Sequence, residues 1–384
     1  MARRLRIAYY MAPNSEGGMA RHALALIDYM RERHELAVFC DPRSKTFCAA
    51  LRERGISPRE ILAYPRKDPG FVRPAMGSWR PFLAARAALR AEHPDIVHFH
   101  AGRLSAVYPA ILASRAAGVP TRILTVHNAI FGRPALQRFF EALVLDTLDR
   151  IIAVCGTVKD DLVEKKNVAP EKIAVIANGV DAAEFDAAGD AAGIRRELGV
   201  GEAALVIGAV GRLEYEKGTD LLIRAAAHLR PRWPALRVVL IGSGPHEREL
   251  KELAENEGVG DVVRFVGYRA DARRLMHAID VIAMPSRYEA QPFTVLEAMA
   301  ARKPVAAAAV GGIPATMADG ETGLLFPCGD VDALTRALER LLDDADARTA
   351  MGSAARERVE REFSQAAMLE KLQKLYTQAS SKEA

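Results

Sequence analysis

Little in this chain of 384 residues marks it for a bilayer, an oxidising compartment or a nucleic acid. No apolar run approaches the roughly 18–20 residues that a membrane-spanning helix needs. The start, Met1 to Tyr10, is basic and then apolar, which is the outline of a signal peptide. Its apolar stretch is short, however, and Pro13-Asn14-Ser15-Glu16-Gly17-Gly18 follows instead of a small-residue cleavage site, so it reads as a first buried strand. Only four cysteines occur, Cys40, Cys48, Cys155 and Cys328, with no CxxC pair. Three lie in or beside apolar segments, which fits buried free thiols in a reducing cytoplasm better than a disulfide framework or a zinc site. Aromatic residues make up 6% of the chain and do not interleave with the basic ones, which argues against stacking on bases. There is no P-loop, no GxGxxG, no short-period repeat and no low-complexity tract.

What is present is a globular composition, 50% hydrophobic and 27% charged. The length suits two α/β domains better than one core. Short Val- and Ile-rich runs alternate with helical patterns. The expected strands are Arg6–Met11, Ala37–Cys40, Ile96–His100, Arg122–His127, Ile151–Val154 and Ile173–Ala177, then Leu205–Val210, Val238–Ile241, Val263–Val266, Val281–Met284, Val305–Ala308 and Gly323–Phe326. Such a rhythm, repeated twice, predicts two doubly wound parallel sheets. The Ala/Asp/Gly-rich stretch Asp181–Gly201 marks the boundary, giving domains 1–185 and 186–361. The tail shows helical periodicity through Phe363, Ala366, Ala367, Leu369, Leu372 and Leu375. Charge is uneven: residues 1–185 hold 27 Lys/Arg against 19 Asp/Glu, a net of +8, and the remainder holds 26 against 30, a net of −4. The excess peaks at Arg43, Lys45, Arg52, Arg54, Arg59, Arg66, Lys67, Arg73, Arg80, Arg86 and Arg90. This is either a solvated basic face or one drawn to an anionic acceptor or membrane surface.

In open α/β sheets ligands bind beyond the carboxyl ends of the strands, and the polar residues gather there. Gly17-Gly18 follow the first strand and precede a helix, where backbone N–H groups suit phosphate, although a Gly-Gly pair also serves tight turns. After the strand ending at Val210, Arg212 and Lys217 stand five residues apart beside Gly218; two such cations can hold a diphosphate and stabilise it as it leaves, or be plain surface charges. After Met284 comes a loop with Glu289, and Glu297 follows eight positions later about one turn into a helix. Carboxylates accept from vicinal hydroxyls of sugar or ribose, and N–H groups near Phe293 and Thr294 can meet a phosphate. An acid amid Val295, Leu296, Ala298 and Met299 should be partly buried and needs a partner. His98, His100 and His127 stand at two strand ends; they raise the odds of a polar site but not of a metal, because no carboxylates are spaced around them. Gly311-Gly312 leave room for a ligand beside the Glu297 helix, and Gly242-Ser243-Gly244-Pro245 reads as a turn. Asp344-Ala345-Asp346 superficially matches a metal-binding DxD but lies between C-terminal helices and reads as an exposed charge cluster.

Taken in order, these residues resemble the family 4 glycosyltransferases, the group 1 type. The resemblance runs from Gly17-Gly18 to Asp330. Its most specific part is Glu289…Glu297, the family's EX7E motif, set between Arg212…Lys217 and Gly311-Gly312-Ile313-Pro314. Asn178-Gly179-Val180-Asp181 and the Thr-x-His at His127 also fit. The resemblance implies the α/β GT-B fold, two doubly wound Rossmann-like domains facing across a cleft, with a C-terminal helix in 362–384 packing back on the first. It implies retaining transfer of a hexose-type sugar from a UDP- or GDP-linked donor to a glycan or lipid-linked acceptor, in cell-envelope polysaccharide or lipopolysaccharide synthesis. Gly17 and Gly18 would approach the donor phosphates, Arg212 and Lys217 clamp the diphosphate, Glu289 bind sugar hydroxyls and Glu297 the ribose, and His127 lie beside the transferred sugar. Gln291, Phe293 and Thr294 complete the donor set. His127, Arg212, Lys217 and Glu289 carry the catalytic roles. No metal or other cofactor is implied, and no enzyme nucleophile, since the leaving phosphate helps deprotonate the acceptor. The implied location is cytoplasmic, peripheral at the inner membrane face. Ala315 stands where the family often has Glu, and Cys155 where it often has Ser. A GT-B epimerase or sugar phosphorylase, or a non-catalytic nucleotide-sugar sensor, is the competing reading. The chain lacks a clear signature for the first two, and the sensor reading predicts loss of Arg212, Lys217, Glu289 or Glu297, all of which are present.

Overall fold

The computed structural model describes residues 3–12, 17–61, 79–128, 130, 134–186 and 190–380. Pro13-Asn14-Ser15-Glu16 and the basic and apolar residues Pro65, Arg66, Lys67, Phe71, Val72 and Arg73 lie outside that set. The chain divides into two compact units, Met1–Asn178 with Ala367–Ala384, and Gly179–Ala366. Each unit is built on one sheet.

The first unit contains β1 (Arg6–Met11), β2 (Glu35–Cys40), β3 (Arg59–Glu60), β4 (Ile96–Ala101), β5 (Thr121–Val126), β6 (Arg150–Ala153) and β7 (Ile173–Val175), in the order β3-β2-β1-β4-β5-β6-β7. The second contains β8 (Val206–Val210), β9 (Arg237–Ile241), β10 (Val263–Gly267), β11 (Val281–Met284), β12 (Val305–Ala308) and β13 (Gly323–Phe326), in the order β10-β9-β8-β11-β12-β13. Every pairing is parallel. Parallel strands need helical crossovers that cover both faces, so they read as continuous apolar runs, which is why twelve of them were visible in the sequence. The thirteenth, β3, is two exposed polar residues at a sheet edge and carries no such run. The compositional linker Asp181–Gly201 is partly ordered as well: Asp181 caps a short 3-10 turn, and Asp190 accepts from the Gly193 amide at 2.8 Å to cap the helix Ala191–Glu197.

In both sheets the chain leaves the first strand of the unit in one direction and returns to pair its other edge later. The switch point lies between β1 and β4 in one unit and between β8 and β11 in the other. Crevices for ligands form at such points because the flanking crossovers run to opposite faces.

The tail forms the helix Gln365–Ser380 and buries Met368, Leu369, Leu372, Leu375 and Tyr376 in the same core as Ile7, Tyr9, Leu26 and Ile96. Its deepest residue, Tyr376, joins a polar network inside that core. The Tyr376 hydroxyl bonds His98 Nδ1 and donates to Tyr9 Oη at 3.3 Å, while His98 Nε2 meets Thr125 Oγ1 at 2.7 Å. His100 Nδ1 lies 3.1 Å from His127 Nε2, and His22 Nδ1 donates to Asn178 Oδ1 at 3.1 Å. The register explains the cluster: β4 carries His98 and His100 opposite Ile123 and Thr125 of β5, and His127 follows β5 directly. Cys40 and Cys48 also sit together, Sγ to Sγ 2.8 Å, both buried; Cys155 is buried and Cys328 exposed. Among the described residues no helix is long and apolar enough to cross a membrane.

Burial keeps these imidazoles neutral. It pushes His22 down to about 4, against the smaller upward pull of its bond to Asn178, and holds His98, His100 and His127 well below the usual range. In the unfolded chain each ring protonates near pH 6.5, so between about pH 6.5 and 4 the unfolded state binds more protons than the folded one. The stabilisation is complete above that window and is lost as pH falls through it, on the order of 2 kcal/mol by about pH 5 from His22 alone. Urea unfolding followed at neutral pH and at about pH 5 should show a clearly lower midpoint in acid, with a shallower pH dependence in His22→Asn. Equal midpoints would show that the rings are not held neutral.

Candidate functional site

The residues singled out in the second half of the sequence converge at the β8/β11 switch point. Two glycines make this convergence sterically feasible. Gly218 has φ of 63°, and a Cβ there would lie 1.9 Å from the Pro285 carbonyl oxygen, so only glycine lets the loop after β8 lie on the loop after β11. Gly311 has φ of 55°, and its Cβ would lie 1.8 Å from the Glu289 carbonyl oxygen. The Gly312 amide then donates to the Ala290 carbonyl at 2.6 Å. The space beside Gly311 is therefore filled by the Glu289 loop. Gly311 admits the backbone that carries Glu289.

Arg287 completes the joint. Its guanidinium takes Asp220 in a bidentate grip at 2.8 and 2.7 Å, donates to the Tyr215 carbonyl at 2.9 Å and lies 4.2 Å from the Tyr215 ring centre. Burial pushes the Asp220 carboxyl up, but the Arg287 hydrogen bond and charge, with smaller help from a backbone amide and Arg224, together hold the group below its ordinary range. With the loops fixed, Lys217 Nζ reaches Glu289 Oε1 at 2.6 Å, and Ser286 Oγ donates to the same oxygen at 2.8 Å. Glu289 is buried and Lys217 half-buried. Arg212 is different: it bonds Glu214 at 2.9 Å, yet its side chain stays 62% exposed and free to turn toward a ligand. The Gly242–Pro245 turn supports the Arg212 loop, with the Leu213 amide donating to the Ser243 carbonyl at 3.0 Å. Val210, Gly211, Arg212, Lys217, Met284, Pro285 and Ser286 line a shallow concavity here. A wider depression lined by Ala191, Arg195, Leu205, His277 and Asp280 lies at the amino ends of β8 and β11, away from these loops, where Arg195 and Asp280 close on each other at 2.8 Å.

The helix Phe293–Ala300 starts at this site. Thr294 Oγ1 donates to the Val210 carbonyl at 3.2 Å and pins the helix start to the end of β8. Phe293 and Gln291 are buried, and Gln291 Nε2 meets Thr316 Oγ1 at 3.3 Å. Glu297 is the fifth residue of the helix and 1% exposed, and the partner its burial demands is Arg273, whose Nε lies 3.2 Å away and which also grips Glu184. The two acids of the motif therefore engage different cations. Gly17, Gly18 and His127 belong to the first unit: Gly17, at φ of 61°, and Gly18 are the first two residues of the helix Gly17–Arg31, and His127 packs on His100. Asp344, of the DxD-like triplet, accepts from the Ala347 amide at 2.8 Å as the cap of the helix Ala345–Glu362.

Sequence reasoning did not identify Arg273, Asp220 or His22. Arg273 and Asp220 sit in unremarkable helical segments, and their partners are distant in the chain. Arg287 and Ser286 lie inside the Ser-Arg-Tyr-Glu run that was read, and their position at the strand end was the available clue.

Known proteins with this pattern share a chemistry. Residues 190–358 match the family described as glycosyl transferases group 1, and residues 16–184 match glycosyltransferase family 4. The D-inositol 3-phosphate glycosyltransferase of Kribbella flavida is 37% identical over 299 residues, 71% of this chain and 70% of that protein. The protein of the same name from Actinosynnema mirum is 36% identical over 298 residues, 71% of each chain. Among solved structures, Anabaena HepE in complex with UDP and glucose superposes with a TM-score of 0.84 at 22% identity, covering 98% of this chain and 100% of that one. Two matches that between them take in both sheets, with relatives of this identity and coverage, lead to one assignment: the chain belongs to the family 4 glycosyltransferases and has their GT-B fold.

Proposed function

We propose that this glycosyltransferase moves a hexose-type sugar from a UDP- or GDP-linked donor to an anionic hydroxyl acceptor, with retention of configuration and without a metal. The observation that carries the reading is the Lys217–Glu289 pair with the exposed Arg212 beside it at the β8/β11 switch point. A diphosphate arriving there meets two cations that offset its charge as the bond to the sugar breaks, the task that a metal ion performs elsewhere. Glu289, Gln291, the Phe293 and Thr294 amides and Glu297 supply the remaining donor contacts on the second unit. The relatives named for inositol 3-phosphate and the net positive charge of residues 1–185 both support an acceptor that carries negative charge.

The direct experiment is an assay of sugar transfer from UDP- and GDP-sugars to phosphorylated polyols and lipid-linked glycans in EDTA, with the product anomer assigned by NMR. Activity should survive the chelator and the anomeric configuration should be kept. Loss of activity restored by magnesium or manganese, or an inverted product, overturns the mechanism.

The two acids divide the work by position. Glu289, on the loop with Lys217, acts on the transferring sugar, and Glu297, inside the helix, on the nucleoside. Glu289→Ala should lower kcat by about tenfold or more with little change in nucleotide affinity, while Glu297→Ala should chiefly weaken nucleotide binding. The opposite pattern in calorimetry and steady-state kinetics would assign the roles the other way round.

Among the described residues, several cations of the basic region of the first unit are paired with acids. Arg52 pairs with Glu60 at 2.7 Å, Arg54 with Asp28 at 2.8 Å and Arg59 with Glu92 at 2.8 Å, and Arg43 grips the buried Asp41. The helix Arg80–Glu92 presents Arg80, Arg86 and Arg90 beside the exposed Trp79 and Leu83. Cations with apolar neighbours suit shallow contact with an anionic membrane face, each worth about 1 kcal/mol, which gives reversible attachment. Co-sedimentation should favour anionic over neutral vesicles, fade at high salt and weaken in Trp79→Ala. Equal binding to both lipids, or none at low salt, leaves this face as a solubilising surface and favours a water-soluble phosphorylated acceptor.

A further inference from the structure

Four histidines meet inside the first unit, and they are not equivalent. His98 has both ring nitrogens occupied, by the Tyr376 hydroxyl and by Thr125 Oγ1. His22 and His100 are just as buried, at 1% and 0% exposure, yet His22 Nε2 and His100 Nε2 have no hydrogen-bond partner among the described residues. Buried polar atoms are nearly always satisfied, so two orphans in one cluster call for a ligand. His127, half-buried, completes the set: one ring nitrogen from each of His22, His100 and His127 lies within 4.8 Å of the others. We propose that these three side chains form a binding site for one transition-metal ion of the zinc class.

The chemistry of the donors fits. Zinc–imidazole bonds of about 2.0–2.1 Å in a tetrahedral arrangement place ligand nitrogens about 3.4 Å apart, which small ring rotations reach from the observed separations. His22 Nδ1 donates to Asn178 Oδ1, and that bond fixes the tautomer and leaves the Nε2 lone pair for a metal, as a hydrogen bond behind a ligating histidine commonly does. Imidazoles alone favour Zn²⁺, Co²⁺, Ni²⁺ or Cu²⁺ over Mg²⁺ or Ca²⁺, which need carboxylate and carbonyl oxygens. The ligands come from three separate elements: the helix Gly17–Arg31, β4 and the end of β5. No metal-type spacing appears in the sequence for that reason. Three protein ligands leave a fourth position for water or another small ligand. The proposed transfer rests on Arg212, Lys217 and Glu289 of the second unit, so metal binding, read directly on the cobalt spectrum, is scored separately from the chelator assay.

The test titrates the whole chain with CoCl₂ and follows the visible absorption of the bound ion, with zinc content measured after dialysis against ZnCl₂. One equivalent should bind, with a nitrogen-ligated cobalt spectrum lacking thiolate charge-transfer bands. His22→Asn keeps an amide donor for Asn178 but lacks the second ring nitrogen, and His127→Ala removes a ligand at a half-buried position. Each should weaken binding by at least about tenfold. Thermal melts in EDTA should show both variants folded, and His127→Ala stands alone if His22→Asn does not fold. The Cys40→Ser/Cys48→Ser double variant should bind as the parent does. No stoichiometric binding by the parent, undiminished binding by folded His127→Ala, or loss of binding in the cysteine variant would each overturn the site.

Discussion

The second unit depends on backbone meeting backbone where side chains cannot fit. Gly218 rests on the Pro285 carbonyl and Gly311 on the Glu289 carbonyl, each at a separation no Cβ tolerates and each with a positive φ. These two contacts bring the segments following β8, β11 and β12 into one place. A Cβ at either would force the loops apart, and Lys217 would lose the 2.6 Å contact to Glu289 that depends on them. The parallel topology places the strand ends side by side, and the glycines let the loops touch. Arg287, spanning Asp220 and the Tyr215 carbonyl, then holds the arrangement with charge-assisted hydrogen bonds.

The sheets were legible because a parallel strand buried on both faces must be written as a short apolar run, and Val281–Met284 or Val305–Ala308 can be little else. The polar residues after those runs were legible because chemistry in this architecture sits at strand ends. Other features were not legible because they are relations between distant residues. Nothing near Glu297 in the sequence points to Arg273, and nothing near His98 points to Tyr376 in the tail. The Glu289 carbonyl against Gly311 was not legible either, since a glycine that admits a ligand and a glycine that admits a carbonyl are written identically. Asp344-Ala345-Asp346 is the converse case, a motif of metal-binding appearance whose first aspartate caps a helix.

The charges at the site differ in what they contribute to the fold. Glu289 is buried, and an unpaired buried carboxylate is costly, so Lys217 and Ser286 are needed to hold it whether or not a ligand is present. In the proposed reaction Lys217 would have two duties, and a nucleotide diphosphate that drew its ammonium away would have to leave Glu289 another donor. A sugar hydroxyl is a suitable one. In the proposed reaction the exchange would couple donor recognition to the ion pair, phosphate on Lys217 and hydroxyl on Glu289 being favourable together and unfavourable singly. Arg212, largely exposed and bonded to Glu214 two residues on, holds no buried acid among the described residues, and in the proposed reaction it would add its charge when the ligand arrives. One cation is thus built into the fold and the other is left exposed, so in the proposed reaction the pair would offer the diphosphate one fixed and one movable charge.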